Sequence, residues 1–299
     1  MRFDYFEPTT LDEASGLLRE GKGARKPLAG GTDIVIQLRR RVIRTEGLVN
    51  LKRIPELGGW SCAPGKGLRL GACTPMRDLE TSAAVEGRFP SITEALRVVG
   101  SLQLRNIASV GGNICNASPS ADTAPPLVAL EATARIHTPE SRQETVPVEN
   151  FFTGPGASVL GPGGLLLAVD VPEPAPRTGD AFERFTPRSA MDIAIASAAA
   201  AVTLDKAGER IEAVRIALGA VAPTPIRALK AEDLVRGKEP NPKRLEWAGA
   251  AAMEECRPID DIRGTGAYRK ELIRILVQRV LRQAVERARV RANGRTETS

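Results

Sequence analysis

Two glycine pairs, set in matching surroundings, constrain this 299-residue chain more than any other feature. In PLAGGTDIVIQ (27–37) an apolar approach ends in Gly30 and Gly31, followed by Thr32, Asp33 and a second apolar run. ASVGGNICNAS (108–118) repeats the arrangement around Gly111 and Gly112. One diglycine is a turn. Two in the same context predict one ligand gripped twice. Glycine lets backbone amides converge on a phosphate in conformations that side chains resist. The amides of GGTD and GGN can therefore hold a pyrophosphate without Lys or Arg, and Thr32, Ser109 and Asn113 can add side-chain hydrogen bonds. Neither loop matches GxGxxG or GxxxxGK[ST], so neither a Rossmann nor a P-loop reading applies.

The length accommodates two or three subdomains with real cores. A 42% hydrophobic and 26% charged content is ordinary for a globular protein. Aromatic residues, at 4%, give no support to a base-stacking surface. The net charge of +6 is sharpest at Arg39, Arg40, Arg41 and Arg44 and in the stretch RQAVERARVRANGR. No nucleic-acid motif accompanies these clusters, so they are read as partner-protein surface and no nucleic acid is expected. Cys62, Cys73, Cys115 and Cys256 stand far apart with no CxxC, and His137 is the sole histidine. No metal site within the chain is expected from that spacing. The thiols fit a reducing, cytoplasmic setting. MRFDYFEPTT has no apolar core of a secretory signal. The longest apolar run, IAIASAAAAVTL (193–204), is too short and alanine-rich to insert in a membrane.

Local signals divide the chain into elements. TTLDEASGLLREG predicts a helix with a Thr10–Glu13 capping box and a Gly21 stop. KPLAGG predicts a strand entering the first loop, after which Thr32 caps a helix over IVIQLRRRVI with Asp33 in its first turn. GLVNLKRI, GLRLGACT, ATARIHTP and GLLLAVDVP predict strands. SITEALRVVGS predicts a helix boxed by Ser91 and Glu94. VPEPAPRTGD (171–180) has linker composition and marks a domain boundary. Beyond it AFERFTPRS, DIAIASAAAAVTLD and IEAVRIALGAV predict an antiparallel meander, and two helices follow. Ile273, Leu276, Val277, Val280, Leu281 and Ala284 form one face of the second.

The segments FxYFxPTTLxEA, PLAGGTD, LRNIASVGGNICNASPSADTAPPL, FFTGPG, RSAMDIA and ALGAVAPTPIRA occur in this order. In that set the chain resembles, over nearly its whole length, the FAD-binding (medium) subunits of the molybdenum-hydroxylase family. Xanthine dehydrogenases, CO dehydrogenases and hydroxybenzoyl-CoA reductases belong there, and the likeness is strongest to the xanthine-dehydrogenase-like branch. The resemblance implies an α+β fold: a two-subdomain FAD-binding domain of the vanillyl-alcohol-oxidase (PCMH) type, then a small C-terminal domain of a three-stranded antiparallel sheet with a helical bundle. The expected bounds are 1–178, with subdomains about 1–56 and 57–178, then 179–290, then a flexible tail at 291–299.

The resemblance also implies the cofactor contacts. Pro27, Leu28, Ala29, Gly30, Gly31, Thr32, Asp33 and Ile34 match the first pyrophosphate loop. Ser109, Val110, Gly111, Gly112 and Asn113 match the second. Asp122, in SADTAPP, matches an acid bonded to a hydroxyl-bearing part of FAD. Leu166 matches an apolar contact beside the flavin. Val99 stands where relatives often carry an aromatic over the ring. Arg184 aligns with a basic residue near the isoalloxazine, and Arg188 is its rival. The residue after Gly31 is Thr32 instead of a His or Cys, so FAD is expected to be non-covalent. Asn113 and Asp122 lie too close together for the cysteine-rich insertion of hydroxybenzoyl-CoA reductases. His137 is read as a surface residue without a catalytic role.

These features lead to an electron-transfer flavoprotein subunit of a molybdenum hydroxylase, with no catalytic acid, base or nucleophile of its own. Its expected partners are a large molybdopterin subunit and a small subunit with [2Fe–2S] clusters, in a dimer of heterotrimers. The acceptor is open between NAD, a quinone and a ferredoxin. A self-contained FAD-dependent oxidase or dehydrogenase and a non-enzymatic basic binding module are the alternatives.

Overall fold

The computed structural model describes residues 2–188 and 191–293. Ser189 and Ala190 of the RSAMDIA segment, and tail residues 294–299, lie outside the described residues. The chain begins with β1 (Asp4–Phe6), α1 (Leu11–Glu20), β2 (Arg25–Leu28), α2 (Ile34–Arg39) and β3 (Gly47–Asn50). The three strands form a parallel sheet in the order β1-β3-β2. Helix α1 starts where its sequence predicts, because Thr10 Oγ1 accepts from Glu13 N at 3.2 Å. Glu13 reaches back to Thr9 N instead of Thr10 N, and Gly21 stays right-handed at φ −67°.

The second sheet takes β4 (Trp60–Ala63), β5 (Gly67–Gly71), β6 (Thr133–His137), β7 (Gln143–Pro147) and, past a small ribbon of β8 (Phe152–Gly154) and β9 (Ala157–Ser158), β10 (Leu165–Val171). It is antiparallel in the order β4-β5-β10-β6-β7. Between β5 and β6 run α3 (Met76–Glu80), α4 (Ala83–Arg88), α5 (Pro90–Val98), α6 (Leu102–Arg105), α7 (Val110–Cys115) and α8 (Ala124–Ala129). His137 corrects its sequence reading: at 5% exposure it is buried. Its Nε2 lies 3.2 Å from Asp12 Oδ1 on α1, so it packs against that helix.

After residues 172–177 come β11 (Thr178–Phe185), β12 (Ala196–Leu204), β13 (Ile211–Gly219) and a short β14 (Ile226–Arg227), then α9 (Leu229–Val235), α10 (Pro242–Glu255) and α11 (Gly266–Asn293). The sheet order is β11-β12-β13-β14, so the expected three-stranded meander carries a fourth, two-residue strand. Helix α11 includes residues 291–293, which the sequence assigns to the tail. The alanine run of β12 is buried on both faces, which is why it lacks a polar alternation. Ala198, Ala200 and Val202 face the core under α10 and α11, while Ala199 belongs to the core of the first domain. Small residues let α11 come close: a Cβ on Gly179 would stand 2.1 Å from Ala284 O. Ile273, Leu276, Val277, Val280, Leu281 and Ala284 are all buried as their spacing predicts. Among the described residues no helix is long and apolar enough to cross a membrane.

Candidate functional site

The two glycine loops meet. The first, residues 29–33, leaves β2 and enters α2; the second is the start of α7. A Cβ on Gly30 would lie 2.1 Å from Ile107 O and 2.8 Å from Ala108 Cα, so the loops touch backbone to backbone. Gly31 holds φ +77°, a conformation side chains avoid. Between and beside the loops lies a cleft of about 350 Å³, within the size range of small-molecule sites.

Backbone hydrogen bonding distinguishes the loops. In the second, Val110 N donates to Thr74 O, Gly111 N to Ala72 O and Asn113 N to Ser109 O. Gly112 N donates to Ser109 Oγ at 3.0 Å. Every amide of that first turn is thus already bonded. In the first loop the amides of Gly30, Gly31, Thr32, Asp33 and Ile34 have no partner among the described residues. Unpaired amides in succession, one at positive φ, are the geometry that receives an anion. The expectation that both loops offer amides is corrected: the first offers its backbone, the second its side chains. Thr32 does not cap α2 either; Asp33 occupies that position, without a side-chain cap bond.

The cleft is lined by Pro27 and residues 29–34 from the first loop, and by Ser109, Gly111, Gly112 and Asn113 from the second. Val99 and Leu166 complete the predicted set there. Leu28, Val110, Asp122 and Arg184 are not part of the lining. A Cβ on Gly31 would lie 3.1 Å from the side chain of Leu28, and Val110 is buried in the core. Asp122 and Arg184 form a buried ion pair, Nη1 to Oδ2 at 2.5 Å, with 6% and 9% of the Arg and Asp side chains exposed. Burial pushes the Asp122 carboxyl up to about 7 against the pull of Arg184. Asp122 Oδ1 is buried without a partner among the described residues. Next to it, Thr123 Oγ1 donates to Asn113 Oδ1 at 2.6 Å. Arg188, by contrast, is 73% exposed and paired with Asp192.

Sequence reasoning missed Lys26, Gln37, Cys73 and Cys115, which also line the cleft. Cys115 stands two residues past Asn113, a proximity that could have marked it. Cys73 follows Ala72, whose carbonyl holds Gly111 N; only the fold brings that contact about. Burial raises the Cys73 thiol to about 11 and the Cys115 thiol to about 12, so both are protonated and unreactive at neutral pH. Among the described residues no three or more His, Cys, Asp or Glu converge as a metal site.

An FAD molecule fits this donor set: free amides and Asn113 for phosphate, with Leu165, Leu166 and Met76 as apolar wall. Residues 1–174 match the family described as the FAD binding domain in molybdopterin dehydrogenase. Residues 181–284 match the CO dehydrogenase flavoprotein C-terminal domain. The chain is 33% identical over 285 residues to the xanthine dehydrogenase FAD-binding subunit of Escherichia coli O157:H7, covering 95% of this chain and 96% of that one. It is 33% identical over 283 residues to the carbon monoxide dehydrogenase medium chain of Hydrogenophaga pseudoflava, covering 95% and 97%. A chain of the solved Hydrogenophaga pseudoflava carbon monoxide dehydrogenase lacking the Mo-pyranopterin moiety superposes with a TM-score of 0.91 at 32% identity, covering 96% and 98%. A chain of quinoline 2-oxidoreductase from Pseudomonas putida 86 gives 0.88 at 28%, covering 96% and 98%. With both parts of its fold matched in this way, the chain belongs to the FAD-binding subunit family of the molybdenum hydroxylases.

Proposed function

We propose that this subunit carries electrons through FAD, from [2Fe–2S] clusters of a small partner subunit to an external acceptor such as NAD. The observation that carries the reading is the run of unpaired amides at residues 30–34, facing a cleft whose other wall is largely apolar. The first loop's amides bind the pyrophosphate, with Ser109 and Asn113 opposite. Asp122, next to the Thr123 that bonds Asn113 at the cleft wall, is the acid for a cofactor hydroxyl, and Val99 and Leu166 give the cleft apolar surface. When bound, FAD supplies the exchange between one- and two-electron transfer; the protein supplies binding, orientation and electrostatics. Arg184 contributes by holding Asp122 in place. FAD is held without a covalent bond.

The domains divide at about residue 178, with subdomains meeting near residue 56 and the C-terminal domain running to about 290. The partners are a large molybdopterin subunit and the small iron–sulfur subunit, assembled as a dimer of heterotrimers in the cytoplasm. The free state of all four cysteines supports that reducing setting.

The purified chain should hold FAD in about equimolar amount, read from its visible absorbance after desalting, and oxidise no organic substrate by itself. Adding reduced iron–sulfur partner should bleach the flavin absorbance. Turnover of a purine, aldehyde or N-heterocycle by the chain alone would overturn the reading in favour of a self-contained oxidase.

A further inference from the structure

We propose that Thr123 is a positioning residue for the cofactor: its hydroxyl sets the Asn113 carboxamide so that N–H groups, and not the amide oxygen, are presented to the FAD phosphates. The inference rests on the FAD reading above. Thr123 stands at the N-cap of α8, where a threonine ordinarily accepts from the amides of the second and third helical residues. In α8 those residues are Pro125 and Pro126, which have no N–H to offer. The side chain accordingly makes no cap bond, and the backbone is already helical at φ −77°, ψ −18°. The sequence TAPP thus releases a hydroxyl from the work its position usually gives it.

That hydroxyl is buried, at 4% residue exposure, and donates to Asn113 Oδ1 at 2.6 Å. The backbone of Asn113 is held separately by Ser109 O, so the rotation of its carboxamide is the freedom left for Thr123 to remove. The two ends of a carboxamide diverge. With the oxygen held by Thr123, the end left for the cleft that Asn113 lines is the NH₂. A reversed amide would set an oxygen lone pair against a phosphate oxygen. The neighbouring Asp122–Arg184 pair braces the same segment from β11.

The test is titration of FAD into the FAD-free full chain, followed by quenching of flavin fluorescence. Thr123→Val should weaken FAD binding about tenfold, the scale of one hydrogen bond. Thr123→Ala should do the same, and Thr123→Ser should stay within about twofold of the parent. In an Asn113→Ala background, Thr123→Val should add no further loss, since its effect runs through the amide. An unchanged Kd in Thr123→Val and Thr123→Ala, or the same tenfold loss in the Asn113→Ala background, would overturn the proposal. Failure of the parent chain to bind FAD would instead remove the reading on which it rests.

Discussion

At Gly30 the missing side chain serves the contact between the two loops before it serves any ligand. A Cβ there would meet Ile107 O at 2.1 Å, and one at Gly111 would meet Ala72 O at 2.4 Å. Gly31 has a different reason, its φ of +77°. At Gly112 a Cβ would press on Ser109 Oγ at 2.9 Å, the atom that caps α7. The four glycines look alike in sequence and do three different jobs. Gly30→Ala should therefore destabilise the chain even without FAD, by about 1–3 kcal/mol of overpacking. Gly31→Ala should cost roughly 1 kcal/mol, the penalty of a side chain in the left-handed region. Calorimetric melting of the FAD-free variants checks both. A Gly30→Ala midpoint equal to that of the parent would mean the residue acts only through the ligand.

Helix α5 shows the limit of reading an element locally. Ser91 and Glu94 have the spacing of a capping box, yet the helix begins at Pro90 with Phe89 before it. Proline favours the first helical position, and that choice moves Ser91 inside the first turn. Its hydroxyl is buried without a partner among the described residues. Its amide donates instead to Asp180 Oδ2 at 2.8 Å, so a residue of β11 caps the helix. Glu94 accepts from Phe182 N at 2.8 Å and pairs with Arg287. Ser91→Ala should thus be nearly neutral, where a true box would lose about 1 kcal/mol. Asp180→Ala should cost about 1–3 kcal/mol by leaving buried donors unmet. Urea denaturation midpoints of the two variants decide between the arrangements, and a larger loss for Ser91→Ala would restore the local reading.

Across the whole molecule, α11 fastens one domain to the other. Arg287 pairs with Glu94 on α5, and Arg291 donates to Gly87 O and Arg88 O at the end of α4. Arg88 also pairs with Glu173 in the connecting segment. This corrects part of the charge reading: of the C-terminal basic stretch, Arg287 and Arg291 turn inward, while Arg282 and Arg289 stay exposed. Arg39, Arg40, Arg41 and Arg44 are exposed, in the segment whose Gln37 and Ile43 line the cleft. A double variant, Arg287→Ala with Arg291→Ala, should loosen the junction while leaving each core intact. Limited proteolysis should then cut within residues 172–177 several times faster than in the parent, since cleavage tracks local opening. An unchanged cutting rate would show that packing of α5 and α8 on the C-terminal sheet is sufficient.

Periodicity and residue size carried much of this fold in the sequence itself. The apolar face of α11, the doubly buried alanine strand β12 and the glycine pairs are local patterns, and local patterns survive without a tertiary structure. That residues 27–34 form a glycine loop was legible for the same reason. Which amides remain free was not, because two of the groups that occupy the second loop's amides, Ala72 O and Thr74 O, come from another part of the chain. The burial of His137 against α1, the pairing of Arg184 with Asp122 and the release of Thr123 to Asn113 also depend on contacts between distant segments. A hydrogen bond is decided by where its partner lies in space, and only the tertiary structure sets that.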